Sequence, residues 1–142
     1  MFNKNNLLKI NVVILFLAGI MDIIRGYSHT FNVRHSAENL AGIEPIADSL
    51  YLMGAFGISN FLTGLLYFLV IWKARYLTPF VLLIIPISYF IGGLGIAYQS
   101  VHPDAQFIGQ RMMFVYLSIC LISSLLYFIS KTQSANSSNV QL

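Results

Sequence analysis

Charged residues are scarce in this chain. Its 142 residues include eight Lys and Arg and five Asp and Glu, so 9% are charged, whereas 57% are hydrophobic. An average soluble domain carries about 25% charged and about 45–50% apolar residues, and a small protein has a large surface to cover. The composition therefore excludes an ordinary cytosolic enzyme and a disordered chain. A net charge of +3 spread this thinly also excludes a nucleic-acid binder.

Groups for catalysis or metal binding are also scarce. Cys120 is the only cysteine, which excludes an intrachain disulfide framework, a CxxC redox pair and a zinc ribbon. His29, His35 and His102 show neither HxxxH nor HExxH spacing, so the sequence predicts no metal site. No Ser-His-Asp order, nucleotide motif or haem-type His pair is present. We therefore predict no cofactor and no catalytic residue, and a non-enzyme is favoured over an enzyme.

Long apolar runs take the place of the missing charges. A helical membrane span needs about 20 mostly apolar residues, and the chain has four such runs separated by polar or turn-forming residues. The predicted spans are residues 7–27, 50–72, 79–99 and 107–129. The runs are continuous rather than alternating, which disfavours a β-barrel. The predicted fold is all-α, a membrane four-helix bundle with antiparallel up-down topology within residues 1–130.

The distribution of Lys and Arg predicts the orientation of the bundle. Loops on the cytoplasmic side of a membrane carry an excess of these residues. With a cytoplasmic N-terminus, that side has five bases and the opposite side has three. The five are Lys4, Lys9, Lys73, Arg75 and Lys131, and the three are Arg25, Arg34 and Arg111. We therefore predict that both termini are cytoplasmic.

The connections between the predicted spans are unequal. The link at residues 73–78 is short and predicts that the second and third spans pack as an antiparallel pair. The long outer loop covers residues 28–49, where Ser36 is expected to cap a short helical turn that ends near Gly42. Leu40, Ile43 and Ile46 are expected to lie across the outer mouth of the bundle. Residues 131–142 lack apolar periodicity and are predicted to be a disordered cytoplasmic tail.

A few polar side chains fall inside the predicted spans, and most of them lie in the outer half. An ionisable side chain in hydrocarbon costs roughly 2.5–3.5 kcal/mol on insertion scales, so each one requires an explanation. Arg25 follows Asp22 at i+3, where a local ion pair can form. The set from which we predict a ligand-binding pocket is Asp22, Arg25, Asn60, Tyr98, Gln99 and Arg111.

These polar residues have two interpretations. In the structural one, Asp22, Arg25 and Arg111 form a buried ion-pair set that fixes the register of the helices, and Asn60 makes an interhelical hydrogen bond. In the functional one, they line a polar pocket open to the outer face, with the loop at residues 28–49 as its lid. Small residues are interpreted as helix-packing positions, namely Ala55, Ser59 and Thr63 in the second span and Gly93 and Ala97 in the third.

The arrangement of the spans resembles a known family. The stretch MDIIRGYSHTF, the following HSAENLAGIEP and the glycine-bearing MGAFGISNFLTG carry the likeness. Together with four spans, inner termini and a long first outer loop, they resemble the DoxX-like group of small bacterial membrane proteins. The resemblance implies a bacterial inner-membrane location, and some members of that group are associated with quinone-linked or sulfur oxidation complexes. It implies no catalytic residue at any position of this chain.

Three functions stay open at this point. The first is an integral membrane protein that binds or transports a small or lipid-like ligand in the outer-half pocket. The second is a non-catalytic accessory or assembly subunit of a larger membrane complex, for example a quinone-linked one. The third is a membrane enzyme with Asp22 or a histidine as base, which has the least support. The predicted partners are the lipid bilayer and either further copies of the chain or a larger membrane complex.

Overall fold

A computed structural model describes the backbone of residues 4–99 and 109–139 and the side chains of residues 4–99 and 112–133. No strand occurs in these ranges, so the predicted all-α class is confirmed. The elements in chain order are α1 (Lys4–Phe31), α2 (Val33–His35), a π-helical segment (Ser36–Ala41), α3 (Ala47–Lys73), a 3-10 turn (Arg75–Leu77), α4 (Thr78–Tyr98) and α5 (Gly109–Asn139).

Four of these helices are long and apolar enough to cross a membrane. They coincide with the four predicted spans, although the predicted start of the fourth at residue 107 lies outside the described residues. The C-terminal boundary differs from the prediction, because α5 continues as a helix to Asn139 where a disordered tail was expected. Residues 131–139 contain neither Gly nor Pro, and extending an existing helix costs far less than starting one.

The helix α1 occupies the centre of the arrangement. It packs most extensively against α3 and also contacts α4 and α5, while α4 packs chiefly against α5. The short link therefore does not make α3 and α4 the main pair, contrary to the expectation from its length. We call the end where α1 passes into α2 the loop end, and the end with the turn Arg75–Leu77 the turn end.

Glycines explain why α1 and α3 form the closest pair. Gly26 of α1 faces Gly57 of α3, and Gly19 faces Gly64, so the two helices run in opposite directions. A Cβ built on Gly57 would lie 3.0 Å from the carbonyl oxygen of Gly26, and one built on Gly64 would lie 2.9 Å from that of Gly19. Only residues without a side chain permit this approach of two backbones.

Several small residues that the sequence predicts as helix-packing positions lie on exposed helix faces instead. Ala55 and Ser59 are exposed on α3, and a Cβ on Gly93 would meet nothing within 4 Å. Every residue of α4 from Ile87 to Tyr98 is exposed, so the loop-end half of this helix contributes no buried residue to the described part of the bundle. The contacts of α4 come instead from its turn-end half, where Leu82 and Ile85 join Leu15 and Cys120 in a buried cluster.

The connection between α1 and α3 folds back onto α3. As predicted, a helical segment ends at Gly42, which has a left-handed φ of 62°. Ser36 does not cap it, because its hydroxyl donates to the carbonyl oxygen of Ser28 at 2.9 Å. Buried Ala37 and Ala41 pack against Met53 of α3, with Ile43 beside them. Two of the three residues expected across the mouth of the bundle, Leu40 and Ile46, are exposed.

Candidate functional site

Asp22 lies on the buried face of α1. The buried residues of this helix recur at intervals of three and four and are Leu7, Asn11, Leu15, Ala18, Gly19, Asp22 and Gly26. The helical period therefore turns Asp22 toward the other helices, and its side chain is only 12% exposed. Arg25 lies one turn further along, with Nη1 3.7 Å from Oδ1 of Asp22 and 38% of its side chain exposed. The predicted local ion pair is present.

Polar groups on two other helices lie within electrostatic range of the Asp22 carboxylate. It interacts electrostatically with Tyr67 of α3 and with Tyr116 and Cys120 of α5. The polar groups of Tyr67 and Tyr116 also interact with each other, and Tyr116 interacts with the Cys120 thiol. We call these five residues, with Arg25 included, the Asp22 cluster. It joins α1, α3 and α5 through polar groups in a largely apolar interior.

Three members of the Asp22 cluster were not predicted as site residues. Tyr67, Tyr116 and Cys120 each stand singly within apolar runs. Tyrosine in the middle of a span is the signal that could have singled out two of them, because its hydroxyl requires a hydrogen-bonding partner in an apolar environment. Cys120 is fully buried in the apolar cluster with Leu15.

Asn60 is connected to the Asp22 cluster through a histidine. Its Nδ2 lies 3.4 Å from Nδ1 of His29, which bridges α3 and α1. His29 in turn interacts electrostatically with Arg25. His29 is half-buried beside the close contact between Gly26 and Gly57. Asn60 and His29 therefore extend the polar region from Arg25 toward the loop end.

The other predicted residues do not join this region. Tyr98 is 87% exposed and Gln99 is exposed at the end of α4, and neither contacts the Asp22 cluster in the described part of the chain. Both lie at the end of the exposed half of α4. The side chain of Arg111 lies outside the described residues. The structure thus brings together three of the six predicted residues, namely Asp22, Arg25 and Asn60.

A second group of buried polar side chains lies toward the turn end, where the sequence suggested mainly apolar residues. The hydroxyl of Ser123 on α5 donates to Oδ1 of Asn11 on α1, and Ser124 donates to the carbonyl oxygen of Pro79 at 2.7 Å. Asn11 and Thr78 are fully buried, and Asn11 Nδ2 and Thr78 Oγ1 have no partner among the described residues. Asn11 was missed because a single Asn within an apolar run gives no sign of which way it faces.

These groups define what the Asp22 cluster can do chemically. A carboxylate can accept hydrogen bonds or hold a cation, a guanidinium can hold an anion, and tyrosine hydroxyls can donate and accept. Within the described residues, no three His, Cys, Asp or Glu side chains lie close enough to hold a metal ion. The arrangement is therefore a set of polar groups with charges of both signs, contributed by three helices.

Comparison with known proteins identifies no relative of this chain. No family model matches the chain, and neither a curated protein nor a solved structure is similar to it.

Proposed function

We propose that this chain is an integral membrane protein of the bacterial inner membrane, with four spans in up-down order and both termini cytoplasmic. Four long apolar helices support the membrane assignment. Large apolar side chains are exposed along all of them, among them Phe16, Phe56, Phe90 and Phe114, and such surfaces suit lipid. The excess of bases at the turn end supports the orientation. The likeness to the DoxX-like group stays a prediction.

Thiol labelling tests this orientation. Glu44 and Lys131 are exposed on opposite sides of the proposed membrane, and the native Cys120 is buried. In intact inverted membrane vesicles, a membrane-impermeant maleimide should label Lys131→Cys and leave Glu44→Cys unlabelled. The reverse pattern would refute the proposed orientation. Extraction of the chain from membranes by alkaline carbonate would refute the integral membrane assignment.

We propose in addition that the chain binds a small or lipid-like ligand at the Asp22 cluster. Binding at this cluster would serve recognition or transport of that ligand. One observation carries the proposal: the carboxylate of Asp22 is only 12% exposed, lies 3.7 Å from Arg25 and interacts electrostatically with tyrosines of α3 and α5. An ionised carboxylate is expensive in a membrane interior, and such residues commonly mark ligand or ion pathways. Arg25 offsets only part of this cost, because the 3.7 Å separation exceeds hydrogen-bond distance.

The chemistry of the cluster indicates what kind of ligand it suits. A ligand with an ammonium or hydroxyl group would donate to Asp22, and an anionic group would bind Arg25. Tyr67 and Tyr116 provide hydroxyls beside apolar side chains, which suits an amphipathic molecule. Arg25 is 38% exposed and His29 and Asn60 lie toward the loop end, so that end is the proposed side of entry. Arg111 remains a proposed contact near this entrance.

The test compares two Asp→Asn variants. The chain is purified from its native membrane in mild detergent, and native mass spectrometry measures the small molecules it retains. Losing a charge-assisted hydrogen bond worth about 1.5–3 kcal/mol should lower retention by about tenfold or more in Asp22→Asn. Asp48→Asn makes the same chemical change at an exposed position of α3 and should retain the ligand as the native chain does.

The competing structural interpretation makes a different prediction for the same variants. If the Asp22–Arg25 pair only stabilises the bundle, Asp22→Asn and Arg25→Gln each lower the free energy of unfolding, and a double-mutant cycle shows coupling between them. Ligand retention is then the same in all variants that fold. That combination of results would refute the proposed binding function.

A second function is favoured by one specific observation. The loop-end half of α4 exposes all its residues, and a Cβ on Gly92, Gly93 or Gly95 would meet nothing within 4 Å. Small residues on an open helix face permit another helix to approach closely. We propose as the alternative a non-catalytic accessory subunit of a larger membrane complex. Affinity purification from native membranes that yields only copies of this chain would refute it.

A further inference from the structure

A depression at the turn end has the composition of a binding site that differs from the Asp22 cluster. Its volume is about 400 Å³, and it is lined by Asn5, Leu8, Lys9, Val12 and Arg75. Binding sites for small molecules have volumes of about 300–1,000 Å³. The first turns of α1 form one side of the depression, and Arg75 contributes from the 3-10 turn between α3 and α4. We call it the Lys9–Arg75 depression.

The charge in this depression is positive and is not balanced by carboxylates. In the ranges that the structure describes, the ion pairs are Asp22–Arg25 and Arg34–Glu38, and neither includes Lys9 or Arg75. Both pairs lie toward the loop end, as do the remaining described acids, Glu44 and Asp48. Two cations facing one depression without an anionic partner therefore complement a ligand of negative charge.

The two cations also differ in a way that suits phosphate. Nε of Arg75 donates to the carbonyl oxygen of Ile71 at 3.0 Å, which fixes the guanidinium against the end of α3. This bond leaves the N–H groups of the two terminal nitrogens, and a guanidinium can bind two phosphate oxygens at once. Lys9 supplies a compact charge on a flexible side chain. The pair can thus hold an oxyanion between a fixed donor and an adjustable one.

An apolar stripe leads from the depression toward the middle of α1. Leu8 and Val12 are one turn apart and both line the depression, and Phe16 follows after one more turn with 46% of its surface exposed. The ring of Phe16 packs beside Phe68 of α3, with 5.6 Å between the ring centroids. A ligand with an anionic head and an apolar chain would match the cations at the end of the helix and this stripe beside them.

We infer that the Lys9–Arg75 depression binds the phosphate of an anionic glycerophospholipid, with one acyl chain along Leu8, Val12 and Phe16. The inference rests on the proposed membrane orientation, in which the turn end lies in the cytoplasmic leaflet. Basic pockets between helices on the cytoplasmic side are suited to anionic head groups. The chemistry that the site recognises is phosphate, and the stripe on α1 favours a lipid over free phosphate as its source.

The experiment measures lipid binding by the full-length chain in detergent with native mass spectrometry. The probes are phosphatidylglycerol, phosphatidylcholine and inorganic phosphate. We expect phosphatidylglycerol to bind in preference to phosphatidylcholine. Each basic side chain near an anionic lipid surface adds to the free energy of lipid binding. Removing two of them in Lys9→Gln/Arg75→Gln should therefore weaken phosphatidylglycerol binding by about tenfold to thirtyfold. Arg75→Lys should recover only part of the affinity, because it restores charge without the two-point contact.

A matched control separates this site from the general charge of the turn end. Lys73→Gln/Lys131→Gln removes the same net charge outside the depression, since Lys73 lies over the ring of Trp72 and Lys131 is exposed on α5. This variant should bind phosphatidylglycerol within about threefold of the native chain if the depression is the site. Lys9 and Arg75 are exposed, so their substitution should leave far-UV circular dichroism and the unfolding midpoint unchanged.

Three results would overturn the inference. They are equal binding of the two lipids, equal losses in the two double variants, and no loss in Lys9→Gln/Arg75→Gln. Displacement of the lipid by millimolar inorganic phosphate, with binding of phosphate alone, would overturn the lipid as the source. Failure of the membrane proposal is distinguishable, because carbonate extraction would then remove the chain from membranes. Loss of ligand at the Asp22 cluster does not affect these measurements, because they involve residues at the other end of α1.

Discussion

The contact between α1 and α3 leads to a quantitative prediction about a single methyl group. An Ala side chain at Gly64 would place its Cβ 2.9 Å from the carbonyl oxygen of Gly19 and 3.0 Å from Cδ1 of Ile23. The carbonyl belongs to the backbone of α1, so the clash is relieved only if the two helices move apart. Overpacking of this kind costs about 1–3 kcal/mol, and Gly64→Ala should destabilise the bundle accordingly.

The same substitution elsewhere on α3 provides the reference. A Cβ built on Gly54 meets nothing within 4 Å, so Gly54→Ala introduces no clash. Both substitutions add the same methyl group to the same helix and gain the same helix propensity, about 1 kcal/mol. The propensity term cancels in the comparison. We therefore expect the free energy of unfolding of Gly64→Ala to be lower than that of Gly54→Ala by about 1–3 kcal/mol.

Unfolding in mixed micelles measures this difference. The chain in mild detergent is titrated with sodium dodecyl sulfate, and loss of structure is followed by far-UV circular dichroism and by the fluorescence of Trp72, the only tryptophan. Gly57→Ala provides a second test, because its Cβ would lie 2.6 Å from Cγ2 of Thr30. Equal stabilities for Gly54→Ala and Gly64→Ala would refute the close approach of α1 and α3.

Three further predictions concern other contacts. Ser123→Ala should lower the free energy of unfolding by about 1–3 kcal/mol in the same titration, because it leaves buried Asn11 without its partner. The double variant Asn11→Leu/Ser123→Ala removes both polar groups and should be close to neutral, so equal losses of stability in the two variants would contradict this account. Ser36→Ala removes the 2.9 Å hydrogen bond to the carbonyl oxygen of Ser28, which should destabilise the segment before α3 by about 1 kcal/mol and speed its amide hydrogen exchange. Unchanged exchange would show that this bond does not stabilise the segment. Cys120 is fully buried, so maleimide should modify it only after unfolding, and rapid labelling of the native chain would contradict the packing of α5.

Features that depend on residues near each other in the chain were predictable. Asp22 and Arg25 are three residues apart, so their ion pair follows from the geometry of one helix. Gly42 ends the segment before α3 because a left-handed conformation is accessible to glycine. The membership of the Asp22 cluster was not predictable in the same way, because Tyr67, Tyr116 and Cys120 come from two other helices. Each is unremarkable within its own apolar run.

The predictions failed mainly where they depended on which face of a helix is buried. An apolar helix in a membrane protein carries hydrophobic residues on both its packed and its lipid-facing sides, so periodicity does not tell one side from the other. Gly93 and Gly57 therefore look alike in the sequence. In the structure, Gly57 lies against the backbone of α1, whereas Gly93 faces open space. The same ambiguity concealed Asn11, whose burial depends on α5 lying beside α1.

The scarcity of charge and the four apolar runs are sufficient to predict the number and approximate positions of the long helices. This is possible because helix formation in an apolar environment depends on local backbone hydrogen bonds and on the length of each run. Which helices become neighbours depends on shape, since lipid and side chains are similarly apolar and close backbone contact decides the pairing. The tertiary structure therefore pairs α1 with α3 through glycines. It also leaves the loop-end half of α4 exposed and brings tyrosines of α3 and α5 within electrostatic range of Asp22.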